Sequence, residues 1–501
     1  MISTNVMIIL LSIQMISRIR QYREVPMKRN PHFCVTKIGM EHYLVPFGQE
    51  IENMRPSLRM NEASAFLWEK LSEHTDENEL VLALVHEYEV LPEELPEIRK
   101  DVRMMLRQFL AVGAVWNDFP RQAGVPASGR TSAFCPEVWD TLHDREPWYR
   151  DMMIGGLVIR MYGSADYFSD QFDDFYIKEG TETASDVTAA GIPESGRQDA
   201  CLQEPVSGAV HMHGRAADID IIVTEEAPPE TEGLPILIEG FTVTVLDGGD
   251  FYVIRSTEAP EIREGHILKD GSRAVFFMTV DGEERRRNPE QKSARTADSP
   301  NAAALGEEDE TDLEQESNPA DAVFHMVRHV FMICAEKRNM YIIHSASILH
   351  NGHAWLFSAL SGTGKSTHTN IWHKLYGTPY LDGDLNLLAF EGGRPVVMGI
   401  PWCGTSGIYT TETWPLGGIV LLARDPKNYV EELPLGAKVL GISMRFISPK
   451  WDEEMLKGIL DFSERIAESA KIARLHCNME DEAAEVCRRW VEDTGEENVL
   501  V

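Results

Sequence analysis

The sequence is short of positive charge and of long apolar runs. Its 501 residues include 47 Lys and Arg against 80 Asp and Glu, which gives a formal net charge of −33. An acidic surface repels nucleic acid and anionic membranes, so neither is expected as a partner. Residues 6–16 form an apolar run that is too short to cross a bilayer. We therefore expect no stable membrane insertion, whereas a basic peptide would be favoured electrostatically.

The amino end and the cysteines argue against secretion. The run 6–16 lacks the basic segment before it and the small-residue cleavage site after it that a signal peptide has. Met27 opens a stretch that resembles a natural beginning, so residues 1–26 are interpreted as an N-terminal extension. The seven cysteines include no Cys-x-x-Cys pair, and His211 and His213 are interpreted as a solvated pair rather than as metal ligands. These features predict a cytoplasmic protein with reduced thiols and no structural zinc.

The chain is too long for one ordinary hydrophobic core, which favours a multidomain α/β protein. Residues 27–116 are predicted as an N-terminal α+β domain in which strands precede three helices. The strands are predicted at 33–38, 42–47 and 57–60. Asn61 is placed to cap the first helix, and Asp76 with Glu79 has the spacing of a capping box at the second. The third helix carries apolar residues on one face, at Ile98, Val102, Met105, Leu106 and Phe109.

Polar segments separate this domain from the rest of the chain. Residues 117–153 contain many Pro, Ser and Gly and are predicted as a linker. Residues 154–280 are predicted as a β-rich region, with a disordered insertion near 178–210 that has few apolar residues. Residues 281–321 are charged and of low complexity, and such a composition cannot offset the entropy cost of ordering. The linker and the polar insertions predict two halves that move independently.

The carboxy-terminal part, residues 322–492, shows a different pattern. A helix from Ala322 leads into two apolar strands that flank Asn351-Gly352, a strong signal for a hairpin. The second strand runs into SGTGKST, which is followed by a helical stretch that stops at Gly377. This order of strand, loop and helix is that of a phosphate-binding loop. The residues of this loop are Ser361, Gly362, Thr363, Gly364, Lys365, Ser366 and Thr367.

A loop of this kind holds the phosphates of a nucleotide through converging backbone N–H groups. Gly362 and Gly364 leave room for the anion. Lys365 can reach the β- and γ-phosphates, and the Ser366 hydroxyl can ligate Mg²⁺. Ala359 replaces the first glycine of the usual pattern, which costs little if its φ is negative. The segment therefore predicts binding of ATP and Mg²⁺.

Phosphoryl transfer also requires a carboxylate for the metal and usually a base for the attacking hydroxyl. Asp382 and Asp384 follow the helix of the loop, and strand alternation would put both carboxylates on one side if the segment is extended. His344 begins the strand pair that enters the loop, where it could face the phosphates or be a core residue. The segment 400–410 could close over a substrate or be a tight turn. The candidate catalytic residues are Asp382, Asp384, His344 and Lys365.

On these residues the part 322–492 resembles the HPr kinase/phosphorylase superfamily, which shares its core with ATP-dependent phosphoenolpyruvate carboxykinases. The resemblance implies a C-terminal P-loop α/β kinase domain with the histidine and an Asp pair at its active site. In that family Asp serves as base and metal ligand; we interpret Asp384, with Ser366 of the loop, as the metal ligand and Asp382 as the base. The Asp-Gly-Asp spacing departs from the adjacent pair of that family. An Arg-Gly-x-Gly-Ile-type segment is missing, so HPr itself is not expected as the substrate.

Residues 33–116 are similar to the PqqD family, the leader-recognition domain of ribosomally made, modified peptides. The stretch SLRMNEASAFLWEKL follows the strand-into-helix signature of that family. The resemblance implies a winged-helix-like α+β domain. The leader would add as a strand at the sheet edge and pack against the third helix. This implicates strand 57–60 and helix 93–110.

Together the resemblances imply an ATP- and Mg²⁺-dependent kinase that phosphorylates a Ser or Thr hydroxyl of a ribosomally synthesised, post-translationally modified peptide (RiPP). The precursor would be recognised through its leader. The expected partners are this precursor and the maturation enzymes of the same pathway, and a homo-oligomer stays open. Two alternatives also stay open: a non-catalytic nucleotide-binding peptide chaperone and a small-molecule kinase.

Overall fold

Large mixed sheets flanked by helices make up the computed structural model, as a multidomain α/β protein requires. It describes residues 28–71, 76–88, 90–91, 94–116, 133–146, 148–177, 216–229, 234–237, 243–279, 318–359 and 363–493. The whole insertion predicted near 178–210, together with His211 and His213, lies outside the described residues. Residues 1–26 and most of the acidic segment 281–321 also lie outside them. In the described ranges, no helix combines the length and apolar character needed to cross a membrane.

The amino-terminal domain, residues 28–116, packs helices on a small antiparallel sheet of β2, β3 and β4, and β1 pairs with β5. Its elements are β1 (Lys28–Arg29), β2 (Phe33–Ile38), β3 (Glu41–Pro46), α1 (Gln49–Glu52), β4 (Leu58–Met60), α2 (Glu62–Lys70), α3 (Glu77–Glu87), α4 (Leu95–Ala111) and β5 (Val115–Trp116). The caps are as expected: Asn61 accepts the N–H of Ser64 at 2.8 Å, and Asp76 and Glu79 form a capping box. Phe109 of α4 meets Trp68 of α2 in the core.

A mixed sheet forms the middle of the chain and runs in the order β6-β7-β8-β13-β12-β11-β10-β9. Its elements are α5 (Pro136–Arg145), β6 (Tyr149–Ile154), β7 (Leu157–Tyr162), β8 (Ile219–Thr224), β9 (Leu234–Leu237), β10 (Val243–Asp247), β11 (Phe251–Ser256), β12 (Ile262–Leu268) and β13 (Arg273–Met278). The linker predicted over 117–153 therefore contains α5 and most of β6. Pro136 stands at the first helical position, where proline is well tolerated, and β6 buries Met152 and Ile154 on one face.

The carboxy-terminal domain, residues 318–493, is built on a sheet in which β16, β20 and β22 run parallel. Its elements are α6 (Pro319–Glu336), β14 (Tyr341–His344), β15 (Ala346–His350), β16 (His353–Ser358), α7 (Lys365–Tyr376), β17 (Tyr380–Asp382), β18 (Leu385–Glu391), β19 (Arg394–Met398), β20 (Thr413–Arg424), β21 (Tyr429–Glu432), α8 (Leu435–Ser443), α9 (Glu453–Ser469), β22 (Lys471–Cys477) and α10 (Asp481–Glu492). Asn351 and Gly352 both have positive φ between β15 and β16, which confirms the predicted hairpin. Helix α6 begins inside the segment predicted as disordered, because Asn318 caps its first turn.

Helix α6 joins the middle sheet to the carboxy-terminal domain. Met326 and Phe331 of α6 share one buried core with Ile254 of β11 and with Leu387 of β18. The indole N–H of Trp402 donates to the carbonyl of Phe324 at 3.0 Å. The β-rich region therefore does not stand alone but packs on the domain that follows it.

The small sheet of the amino-terminal domain buries both of its faces. Phe33 and Leu44 pack on α2–α4, while the alternate residues face the carboxy-terminal domain. This second cluster contains Cys34, Ile38, Tyr43, Val45 and Phe47 together with Val439, Leu456 and Leu460 of α8 and α9. The N–H of Gly48 also donates to the carbonyl of Lys450 at 2.7 Å. The prediction that the two halves move independently is therefore wrong, because separating them would expose this apolar cluster to water.

Candidate active site

The predicted phosphate loop connects β16 to α7. Gly364 precedes the helix with φ of 109°, a left-handed conformation that favours glycine. Ala359 is buried at the end of β16, and its backbone lies outside the left-handed region. Alanine is therefore accommodated there without strain, and its methyl group packs in the core. Ser361 and Gly362 lie outside the described residues.

The amino end of α7 presents backbone N–H groups and a lysine. Gly364 offers no side chain to cap this end, and the first turn of α7 contains no acidic residue. The unpaired N–H groups of a first turn and the helix dipole both favour an anion. Ser366 and Thr367 are exposed in this turn, where hydroxyl groups are accessible. Lys365, the first residue of the helix, is half-buried.

Three predicted catalytic side chains converge beside this helix end. Nε2 of His344 lies 2.9 Å from Oδ1 of Asp384 and 2.8 Å from Nζ of Lys365. The pairing of β14 with β18 sets this geometry, because His344 is in register with Leu385, next to Asp384. Nε2 carries either one hydrogen or one lone pair, so it can serve only one of its two neighbours at a time. The His344 side chain therefore lies with Lys365 and Asp384 and not in the hydrophobic core.

Burial and neighbouring charges shift the pKa values of Asp384 and Lys365. Burial raises the pKa of the Asp384 carboxyl, but the hydrogen bond with His344 and the nearby positive charges outweigh burial and leave this pKa below its usual value. Burial lowers the pKa of the Lys365 ammonium, the charge of Asp384 raises it and the charge of Arg445 lowers it again. The net direction for Lys365 is down. The group therefore combines an ionised carboxylate with a partly desolvated lysine.

Asp382 is placed differently from the prediction. The chain bends after β17, and Oδ1 of Asp382 accepts the N–H groups of Asp384 at 2.9 Å and of Leu385 at 3.0 Å. Aspartate commonly folds a turn in this way, so the segment bends at residues 383 and 384, and the extended conformation on which the shared side depended is not formed. Oδ2 has no hydrogen-bond partner in the described structure. Burial holds the pKa of Asp382 well above its usual value, which favours the protonated form.

The segment 400–410 packs against this aspartate turn. It contains a short 3₁₀ helix (Gly404–Ser406), and the carbonyl of Ile408 accepts the N–H of Gly383 at 3.0 Å. Gly383 stands so close to Ser406 that any side chain would collide with it. A Cβ on Gly404 would lie 2.9 Å from Oδ2 of Asp384. The segment therefore flanks the candidate carboxylates, and its contact with a substrate stays a prediction.

Arg445 is a residue beside the candidate site that the sequence reasoning missed. Its carbonyl accepts the N–H of His344 at 2.9 Å, and its charge acts on Lys365. Among the described residues its Nε has no hydrogen-bond partner and no carboxylate forms an ion pair with it. Burial and the charge of Arg474 lower the pKa of Arg445. The one available signal was an arginine in the apolar stretch after α8, which indicates a buried cation.

Among the described residues at this end of α7, positive charge exceeds negative charge. Asp384 is the carboxylate that acts on Lys365, and among the described residues no carboxylate forms an ion pair with Arg445. In the described part of the chain, no group of three or more His, Cys, Asp or Glu could hold a metal on its own. Mg²⁺ does not require such a group, because it is commonly held by one or two carboxylates together with substrate phosphates. The donor set therefore fits a nucleotide with Mg²⁺.

Comparison with known proteins gives one family match. The family model of Coenzyme PQQ synthesis protein D (PqqD) matches residues 54–115. This segment is similar to PqqD. No curated protein matches the chain. Among solved structures, the HPr(Ser) kinase/phosphatase from Coxiella burnetii aligns at 10% identity over 30% of this chain and 95% of that chain, with a TM-score of 0.19. A TM-score this low carries no structural argument.

Proposed function

We propose that this chain is an ATP- and Mg²⁺-dependent kinase that phosphorylates a serine or threonine hydroxyl of a RiPP precursor. The observation that carries the proposal is the convergence of Lys365 and Asp384 on Nε2 of His344 at the amino end of α7. In the reaction, the γ-phosphoryl group of ATP passes to the hydroxyl oxygen of the substrate. ADP leaves, and the hydroxyl proton goes to a basic group of the site.

Each residue of the site has a proposed role. The first turn of α7, Lys365 and Arg445 would hold the phosphates, and Asp384 with the Ser366 hydroxyl would hold Mg²⁺, which neutralises phosphate charge. When the Lys365 ammonium binds a phosphate instead of His344, Nε2 of His344 would be free to donate its hydrogen to Asp384. With Nε2 donating to Asp384, the other ring nitrogen of His344 would be the basic atom that accepts the hydroxyl proton, whereas Asp382 is buried and folds the turn.

The amino-terminal domain is proposed to bind the leader peptide. The PqqD match over 54–115 supports a peptide-recognition domain. Strand β4 pairs with β3 and is an edge strand of the small sheet, the position at which a leader peptide would add as a further strand. Arg59 of β4 is exposed, and α4 lies in the same domain. Maturation enzymes of the same pathway are the further expected partners.

The test is ATP binding and phosphoryl transfer by the full chain and by Lys365→Ala. Saturation with ATP and Mg²⁺ at about 100 times Kd should stabilise the wild type by ~2.7 kcal/mol. Lys365→Ala should lose this stabilisation and the transfer of phosphate to a serine-containing peptide. Lys374→Ala is the matched control, because Lys374 is an exposed lysine of the same helix that pairs with Asp481 at 2.9 Å. Equal responses of the two variants would exclude the proposed nucleotide site.

A non-catalytic nucleotide-binding peptide chaperone is the second candidate. The buried Asp382 favours it, because the carboxyl that the family resemblance assigns as the base is not accessible in this structure. A chaperone would bind ATP and the precursor, and no phosphate would appear on the peptide. Mass spectrometry of the precursor after incubation with ATP and Mg²⁺ separates the two. A mass gain of one phosphate supports the kinase, and ATP binding without that gain supports the chaperone.

A further inference from the structure

A cavity of about 440 Å³ lies where the three parts of the chain meet. His344, Asp384 and Leu385 line it on the side of the candidate active site. Gly48, Ile51 and Glu52 of the amino-terminal domain also line it. Glu258 of the middle region and Arg328 and His329 of α6 complete the wall. Cavities of about 300–1,000 Å³ are the usual size of sites that bind small ligands or peptide side chains.

The wall contributed by the amino-terminal domain is held in place. Gly48 has φ of 56° and donates its N–H to the carbonyl of Lys450 at 2.7 Å, directly before α1. A Cβ on Gly48 would lie 3.1 Å from the carbonyl oxygen of Trp451, so both the conformation and the close approach favour glycine. Helix α1 is therefore fixed against the cavity, and this domain shapes a site that contains Asp384.

The two ionisable α6 residues of the lining carry no uncompensated charge. Arg328 forms an ion pair with Glu258, so its charge is compensated. His329 is buried, and its Nε2 has no hydrogen-bond partner among the described residues. Burial and the charge of Arg328 lower the pKa of His329 to about 3, so the imidazole is neutral. A neutral imidazole in the wall would not compensate a ligand charge.

We infer that this cavity receives the hydroxyl-bearing residue of the substrate peptide together with its neighbours, and that α1 helps to determine which residues fit. The inference rests on the proposed kinase function. The amino-terminal domain then has a second role besides reading the leader, because it forms one wall of the acceptor site. A leaderless core peptide at high concentration would still depend on residues of α1.

Two measurements on the full chain test this assignment. Met444 is about half exposed and lines the cavity, so Met444→Trp narrows it, and Ile51→Trp narrows it from the amino-terminal side. Met479→Trp is the matched control, because Met479 is 78% exposed and is not part of the lining. The substrate is a pool of synthetic octapeptides with one serine each. In addition, a photo-crosslinking amino acid is placed at position 51 and, as the control, at position 479.

Both narrowing variants should lower kcat/KM on the peptide pool at least about tenfold, as misplaced substrates do. The ATP-induced rise in Tm should be unchanged, and the Met479 variant should match the wild type. Peptides should crosslink at position 51 and not at 479. Wild-type turnover in all three variants, or phosphorylation of free serine without any crosslinked peptide, overturns the inference. Crosslinking at 51 without phosphoryl transfer by the wild type leaves the cavity assignment standing and refutes the kinase.

Discussion

Replacing Leu460 with alanine tests whether the amino-terminal and carboxy-terminal domains unfold as one unit. Leu460 lies on α9, is 2% exposed and shares a buried cluster with Val45 of β3. A buried leucine loses about 2–5 kcal/mol when truncated to alanine, because transfer energy is lost and a cavity remains. Part of this cavity is bounded by the partner domain, which can relax, so we expect the lower part of that range.

The assay is equilibrium unfolding in urea, followed by tryptophan fluorescence and by circular dichroism. A double-mutant cycle of Val45→Ala with Leu460→Ala isolates the coupling across the interface, and we expect at least ~0.5 kcal/mol. Leu110→Ala is the control, because Leu110 is 37% exposed on α4, and a surface change of this kind costs within about 0.5 kcal/mol. A Leu460→Ala cost as small as that of the control, together with additive effects in the cycle, would refute the docking of the two domains.

Three further predictions concern the site and its surroundings. Asp384→Asn should abolish phosphoryl transfer. Asp382→Asn should keep most of it, because an amide oxygen can accept the same two backbone N–H groups as a protonated carboxyl. Loss of transfer in Asp382→Asn alone would indicate that Asp382 is the base. Arg445→Met should weaken ATP binding roughly tenfold or more in calorimetry, since a charged hydrogen bond contributes about 1.5–3 kcal/mol. It should leave the stability of the nucleotide-free protein unchanged or higher; an unchanged ATP affinity would show that Arg445 does not contact the nucleotide. Burial raises the pKa of Glu336 from 4.5 to about 8, so the folded state binds the extra proton between these pH values and the free energy of unfolding falls as pH rises through this window. Glu336→Gln should reduce this decrease in the free energy of unfolding between pH 5 and pH 8 by an amount on the order of a few kcal/mol, as measured by urea titrations at the two pH values. The same pH dependence in the variant and the wild type would contradict this prediction.

The sequence by itself determined the features whose physical cause lies within a few residues. The cap at Asn61 and the capping box of Asp76 and Glu79 depend on side chains that bind N–H groups three positions on. The hairpin at Asn351-Gly352 depends on two residues that tolerate positive φ. The order of strand, loop and helix around Lys365 likewise follows from local residue types. These patterns are present whether or not the distant parts of the chain are known.

The sequence-based predictions were wrong where local composition favours one structure and tertiary packing stabilises another. The stretch before Tyr149 contains enough Pro, Gly and Ser to resemble a linker, yet α5 forms because it packs on the middle sheet, and β6 forms because it pairs with β7. Asp382 fits an extended strand by alternation, but its carboxyl folds a turn instead. The apolar residues on both faces of β2 and β3 were visible in the sequence, although nothing local identifies the surface that covers the second face.

Only the tertiary structure decided which distant residues meet. His344, Lys365 and Asp384 come together because β14 pairs with β18 beside the end of α7. Arg445 joins them through a backbone hydrogen bond to His344. The wall of the cavity formed by Ile51 depends on the docking of two apolar surfaces that lie about 400 residues apart in the chain. Such contacts arise from burial of apolar area, which is non-directional, so no short-range pattern in the sequence encodes them.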